Sequence, residues 1–145
     1  MRRRSLAREA TLQILYQAEV IEKPIEETIE KYWADEEEKS DEQMQQFANR
    51  IALGVYTYLV DIDERISKYA TNWQLSRMAI IDRNVLRMGV YEMYYADDIP
   101  PKVTINEAVD LAKKYGDMES GKFVNGILDR IHKTEILKKS DKEVE

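Results

Sequence analysis

The chain has 145 residues, 43% of them hydrophobic and 34% charged, with 22 Lys and Arg against 28 Asp and Glu for a net charge of −6. That is one domain's worth of chain, able to bury roughly 68–70% of its unfolded surface and to fold without covalent staples. Zero cysteines and one histidine exclude a disulfide framework, a redox motif, a cysteine nucleophile and a Cys/His zinc site. No stretch reaches the ~20 apolar residues of a membrane span, and arginines stand where a signal peptide carries its apolar centre, so a cytoplasmic protein is expected. The acidic total argues against coating nucleic acid through bulk charge, but it leaves room for a local basic site.

Five glycines and three prolines are too few for many short strands with tight turns, and apolar residues recur at helical spacing. The pattern predicts an all-α domain of about seven helices. The first is expected over residues 3–21, with Leu6, Ala10, Ile14 and Ala18 inward and Pro24 ending it. A short helix over 24–33 follows, burying Ile25, Ile29 and Trp33. Ser40-Asp41-Glu42-Gln43 reads as a capping box that opens a helix through Met44, Phe47, Ile51, Val55 and Tyr58. Asp61 and Asp63, read as capping residues, restart the chain toward Tyr69. A helical stretch over 75–96 is expected to break near Asp82, with Ile81, Val85, Met88 and Tyr91 or Glu92 along it. Residues 97–102 form a loop. Thr104-Ile105-Asn106-Glu107 reads as a second capping box, for a helix ending near Gly116, and a last helix runs from Ser120 to Lys133 or beyond. This count fits two packed subbundles, 1–59 and 60–137, in one domain spanning 1–137, with 138–145 as a disordered tail.

Charge is unevenly placed. Residues 1–18 carry +3, through Arg2, Arg3, Arg4 and Arg8 against Glu9, whereas residues 19–45 carry −8. Arg4 and Arg8 share a helix face with Tyr16 two turns on. The run from Asp35 to Glu38 reads as a solvated loop.

Residues 116–123 nearly match a phosphate-binding loop. Phe123 stands in place of the magnesium-binding hydroxyl, no buried strand precedes, and Asp117 and Glu119 put negative charge where phosphates would lie. The same segment has another use, because Gly121 and Gly126 frame Lys122, Phe123 and Asn125 at a helix start. There, free N–H groups and small side chains let a phosphate or base approach, unless Phe123 is simply core. His132 reads as a surface residue with no acid or nucleophile tied to it. Asp82, Arg83 and Arg87 interleave with an apolar face, as a surface helix or the rim of a protein interface would.

Taken together, Arg4, Ala7, Arg8, Glu9, Leu15 and Tyr16 at the front, Asp82-Arg83-x-Val85-Leu86-Arg87, Ile99-Pro100, Val103 to Ala108, and Gly121 to Asp129 resemble the NusB family of bacterial transcription antitermination factors. The resemblance implies a two-subbundle all-α fold and a non-enzymatic RNA-binding protein without cofactor. It further implies a heterodimer with NusE, a protein of the small ribosomal subunit. The pair would bind single-stranded boxA RNA on nascent transcripts, notably of ribosomal RNA operons, and act with other Nus factors to make RNA polymerase termination-resistant. Carried over by position, Arg3, Arg4, Arg8, Tyr16, Gly121, Lys122, Phe123, Asn125 and Gly126 would contact RNA, and Asp82, Arg83 and Arg87 would meet NusE. A homodimer of the free protein stays open. The competing reading is a helical scaffold that binds protein only. An RNA-modifying enzyme is disfavoured, since the chain stops before any methyltransferase domain and shows no cofactor-binding glycine loop.

Overall fold

The computed structural model describes residues 2–35, 41–72 and 74–137, and among them every regular element is helical. The chain divides into two compact units, Met1–Tyr58 and Leu59–Glu145.

The first unit holds α1 (Arg2–Ile21), α2 (Ile25–Asp35) and α3 (Glu42–Thr57). α1 buries more than one stripe: Ala7, Ala10, Thr11, Leu12, Ile14, Leu15 and Ala18 are all within the core. Leu6, expected inward, is 41% exposed instead. Small residues let α1 lie close to α3, and the Thr11 hydroxyl donates to the carbonyls of Ala7 (2.9 Å) and Ala48 (3.2 Å). α1 stops at Glu22, whose φ of 59° is left-handed and whose N–H returns to the Ala18 carbonyl. α2 buries Tyr32 in place of the expected Trp33, which is half-buried. The Tyr32 hydroxyl donates to Gln13 Oε1 (2.7 Å) and Trp33 Nε1 donates to Asn49 Oδ1 (2.8 Å), tying α2 to both neighbours. α3 is capped by Asp41, whose carboxylate accepts from the Met44 N–H at 2.7 Å. Ser40, expected as that cap, lies outside the described residues, as do 36–38 of the acidic run and the tail 138–145.

The second unit holds α4 (Leu59–Tyr69), α5 (Ile80–Tyr95), α6 (Pro101–Tyr115) and α7 (Met118–Ile131). Asp61 and Asp63 are ties between helices here, not caps. Asp61 Oδ2 accepts from Arg65 Nε (2.9 Å) and the Tyr95 hydroxyl (2.6 Å), and Asp63 takes two bonds from Arg87, at 2.9 and 3.0 Å. The break before α5 falls at Met78 and Ala79, after a single 3-10 turn (Leu75–Arg77), and so precedes Asp82. α6 starts three residues ahead of the expected capping box, because Pro101 fits the first helical position. Thr104 is therefore inside the helix, 1% exposed, and its hydroxyl donates to the buried Glu92 carboxylate at 2.8 Å. α7 is capped by Asp117, which accepts from the Ser120 N–H at 2.8 Å. Gly89 of α5 lets Leu128 of α7 approach so closely that an added Cβ would lie 2.8 Å from its methyl carbon. Past α7 a π-helical turn (His132–Ile136) brings the Glu135 carboxylate to the Tyr69 hydroxyl (2.7 Å) and Lys68 Nζ (3.1 Å).

Candidate nucleic-acid interface

In the first unit, α1 begins with arginine and has no acid in its first turn, so guanidinium charge adds to the positive end of the helix dipole. Arg3 and Arg4 are exposed. Arg3 Nε lies 2.8 Å from Asp41 Oδ2, and its terminal nitrogen donates to Gln43 Oε1 at 2.8 Å. The Arg4 guanidinium carbon sits 4.5 Å from the centroid of the Phe47 ring. These residues border a cleft of about 500 Å³, lined by Arg3, Arg4, Gln43, Met44, Gln46, Phe47 and Arg50.

Arg8 departs from expectation. It is 2% exposed and lies 5.1 Å over the same Phe47 ring, so it braces α1 on α3 rather than facing solvent. Spacing put Arg4 and Arg8 on one face correctly; the depth of Phe47 beneath Arg8 was not visible in it. Tyr16, two turns on, is 43% exposed.

In the second unit, residues 121–126 lie within α7 and not at its start. Their N–H groups are spent on the helix, as in the bond from Gly121 to the Asp117 carbonyl. The phosphate-loop lookalike is thus a helix junction in which Asp117 caps α7. Gly121 is buried, and an added Cβ would stand 2.7 Å from the Lys113 stem, so that glycine serves α6 against α7. Gly126 differs, since a Cβ there meets none of the described residues within 4 Å. Lys122, Phe123 and Gly126 line a groove of about 290 Å³ with Tyr69, Asn72 and Arg130, among others. Asn125 is exposed on the same helix without lining it. Arg130 escaped the sequence reading, although Lys122, Gly126 and Arg130 repeat every four residues along one face; it donates to the Tyr69 carbonyl at 3.0 Å.

The residues assigned to a partner separate into two kinds. Arg83 donates to the carbonyls of Leu75 and Met78, both at 3.0 Å, and holds the turn before α5. Arg87 is bound to Asp63 and Asn84, with its side chain 12% exposed. Both thus hold the framework of their own unit. Asp82 is the exception: its Oδ1 is buried with no hydrogen-bond partner among the described residues. It borders a pocket of about 410 Å³ shared with Arg77, Asp117, Glu119 and Phe123.

Among the described residues no cluster of three or more His, Asp or Glu could hold a metal ion, and no helix is long and apolar enough to cross a membrane. The family model for NusB matches residues 5–133. A transcription antitermination protein NusB of Syntrophus aciditrophicus is 44% identical over 143 residues, covering 99% of this chain and 87% of that protein. The solved structure of T. maritima NusB superposes with a TM-score of 0.82 at 42% identity, covering 90% of this chain and 91% of that one. Antitermination factors NusB and NusE solved in complex with dsRNA include a chain matching at a TM-score of 0.83 and 29% identity, over 92% of this chain and 98% of that one. On this fold and these matches, the chain belongs to the NusB family of transcription antitermination factors.

Proposed function

We propose that this chain binds the boxA element of nascent RNA, notably from ribosomal RNA operons, as a heterodimer with NusE. In the cytoplasm, with other Nus factors, the pair would make RNA polymerase resistant to termination. The observation that carries this reading is the arginine cluster at the start of α1, exposed beside a cleft on a chain whose net charge is −6. A relative solved with NusE and dsRNA supports both kinds of partner.

Single strands are held by phosphate contacts and by stacking of splayed bases, each stack worth about 1–3 kcal/mol. Arg3, Arg4 and Lys122 supply exposed cations, Tyr16 and Phe123 supply aromatic surface, and Gly126 leaves room for close approach. Arg8 acts by holding the α1 face in place through Phe47. For NusE, Asp82 offers a carboxylate oxygen left unbonded among the described residues; Arg83 and Arg87 fix the helix on which it sits.

Mobility-shift titrations of boxA RNA, with the chain alone and with NusE, test the reading. The isolated chain should bind weakly and the pair much more tightly, with log affinity falling by about 0.7 per log unit of salt for each phosphate contacted. Arg4→Ala and Lys122→Ala should weaken RNA binding and spare the heterodimer, and Asp82→Arg should do the opposite. Absence of RNA binding by chain and pair alike would favour the protein-only scaffold.

A further inference from the structure

The α1 arginines are not the only cations on their cleft, and the other side is built by α3. Gln43, Gln46 and Arg50 follow one another at intervals of three and four residues, so they share one face of that helix. All three line the 500 Å³ cleft with Arg3 and Arg4, while Met44 and Phe47 supply its apolar surface. No carboxylate is among the described lining residues. Asp41 pairs with Arg3 through side chains 58% and 49% exposed, and Glu42 Oε1 accepts from Gln46 Nε2 at 3.3 Å; both are exposed contacts, weak enough for RNA to displace.

We propose that Gln43, Gln46 and Arg50 of α3 complete, with Arg3 and Arg4, a subsite for one nucleotide of single-stranded RNA. The volume lies within the range of small-ligand sites. Guanidinium groups give a phosphate paired donors, and the two amides both donate and accept, as a base edge requires. Phe47 is only 7% exposed and lies under Arg4 and Arg8, so a base entering the cleft stacks on the Arg4 guanidinium instead of the ring. The subsite rests on the RNA-binding reading above and extends it to a helix that none of the α1 or α7 motifs reach.

The test is a titration of labelled boxA RNA against the chain with NusE across a KCl series. Arg50→Ala should weaken binding about tenfold, as loss of a charge-assisted bond does, and make the salt slope shallower by about 0.7. Arg50→Lys should restore the slope and only part of the affinity, because a point charge replaces a fork of donors. Helix content and melting temperature report whether each variant folds. Independently of folding, RNA carrying 4-thiouridine should crosslink to the tryptic peptide 40–50 of the unmodified chain. If Arg50→Ala keeps native affinity and slope and the peptide is not crosslinked, while Arg4→Ala weakens binding, the subsite is wrong and the RNA reading stands. If neither variant weakens binding, RNA is held elsewhere, and both the subsite and the role given to the α1 arginines fall.

Discussion

Arg4 and Arg8 have the same side chain one helical turn apart, and the fold gives them different work. Their spacing fixes a common face, but burial is decided by Phe47 from another helix, and no local pattern carries that information. The two glycines of α7 divide in the same way. Either glycine costs a helix interior about 0.5–1 kcal/mol relative to alanine. At Gly121 the Lys113 stem occupies the space a Cβ needs; at Gly126 none of the described residues does. Gly126→Ala should therefore raise the melting temperature while lowering RNA affinity. Gly121→Ala should melt below Gly126→Ala and leave RNA affinity near that of the parent chain. Thermal melts and RNA titrations of the two variants check this, and equal RNA affinity for Gly126→Ala and the parent would remove that position from the site.

At the level of elements, the helices were readable because each repeats apolar residues at three and four, whereas two of the expected starts and breaks were not. Thr104 and Glu107 match a capping box in type and spacing, yet Pro101 opens α6 earlier and turns Thr104 inward. The correction has a measurable consequence. Thr104→Val keeps the shape but leaves the 2%-exposed Glu92 without that donor, so urea unfolding should show a loss of about 1–3 kcal/mol. A surface cap replaced in this way would lose less. The turn after α7 adds a dependence on pH. Glu135 accepts from the Tyr69 hydroxyl and, secondarily, from Lys68, and both hold its carboxyl below the ordinary 4.5. Asp61 is likewise held below 3.8, by the Tyr95 hydroxyl first and then Arg65. A depressed carboxyl pKa stabilises the fold above the ordinary value, and that stability drains away as pH falls through the folded one. Melting temperature should accordingly be flat near neutrality and drop below about pH 4.5. Glu135→Gln should flatten the drop; an unchanged acid profile would show that the contact carries none of it.

For the whole molecule, the net charge of −6 excluded only one way of binding RNA. The arginine-rich start and the acidic stretch 19–45 lie in the same first unit, so a small basic face stands on an acidic body, which suits a short strand better than a long duplex. Family and fold class were legible because their motifs run along the chain in order. Arg83 and Arg87 carry the charges of an interface rim, and the fold also uses both within their own unit, which the charge pattern does not announce. Beside them the Asp82 oxygen is already withdrawn from solvent before any partner arrives. The free protein thus bears the dehydration of that acceptor in advance, and a donor from NusE would gain the bond without that part of the cost. Such preorganisation would trade monomer stability for pairing. An unsatisfied buried acceptor costs about 1–3 kcal/mol, more than the ~0.3–1 kcal/mol an acid contributes in the first turn of a helix. Asp82→Ala should accordingly melt a few degrees higher in calorimetry while its heterodimer dissociates faster; a variant that melts lower would mean the acceptor is satisfied in the unpaired chain.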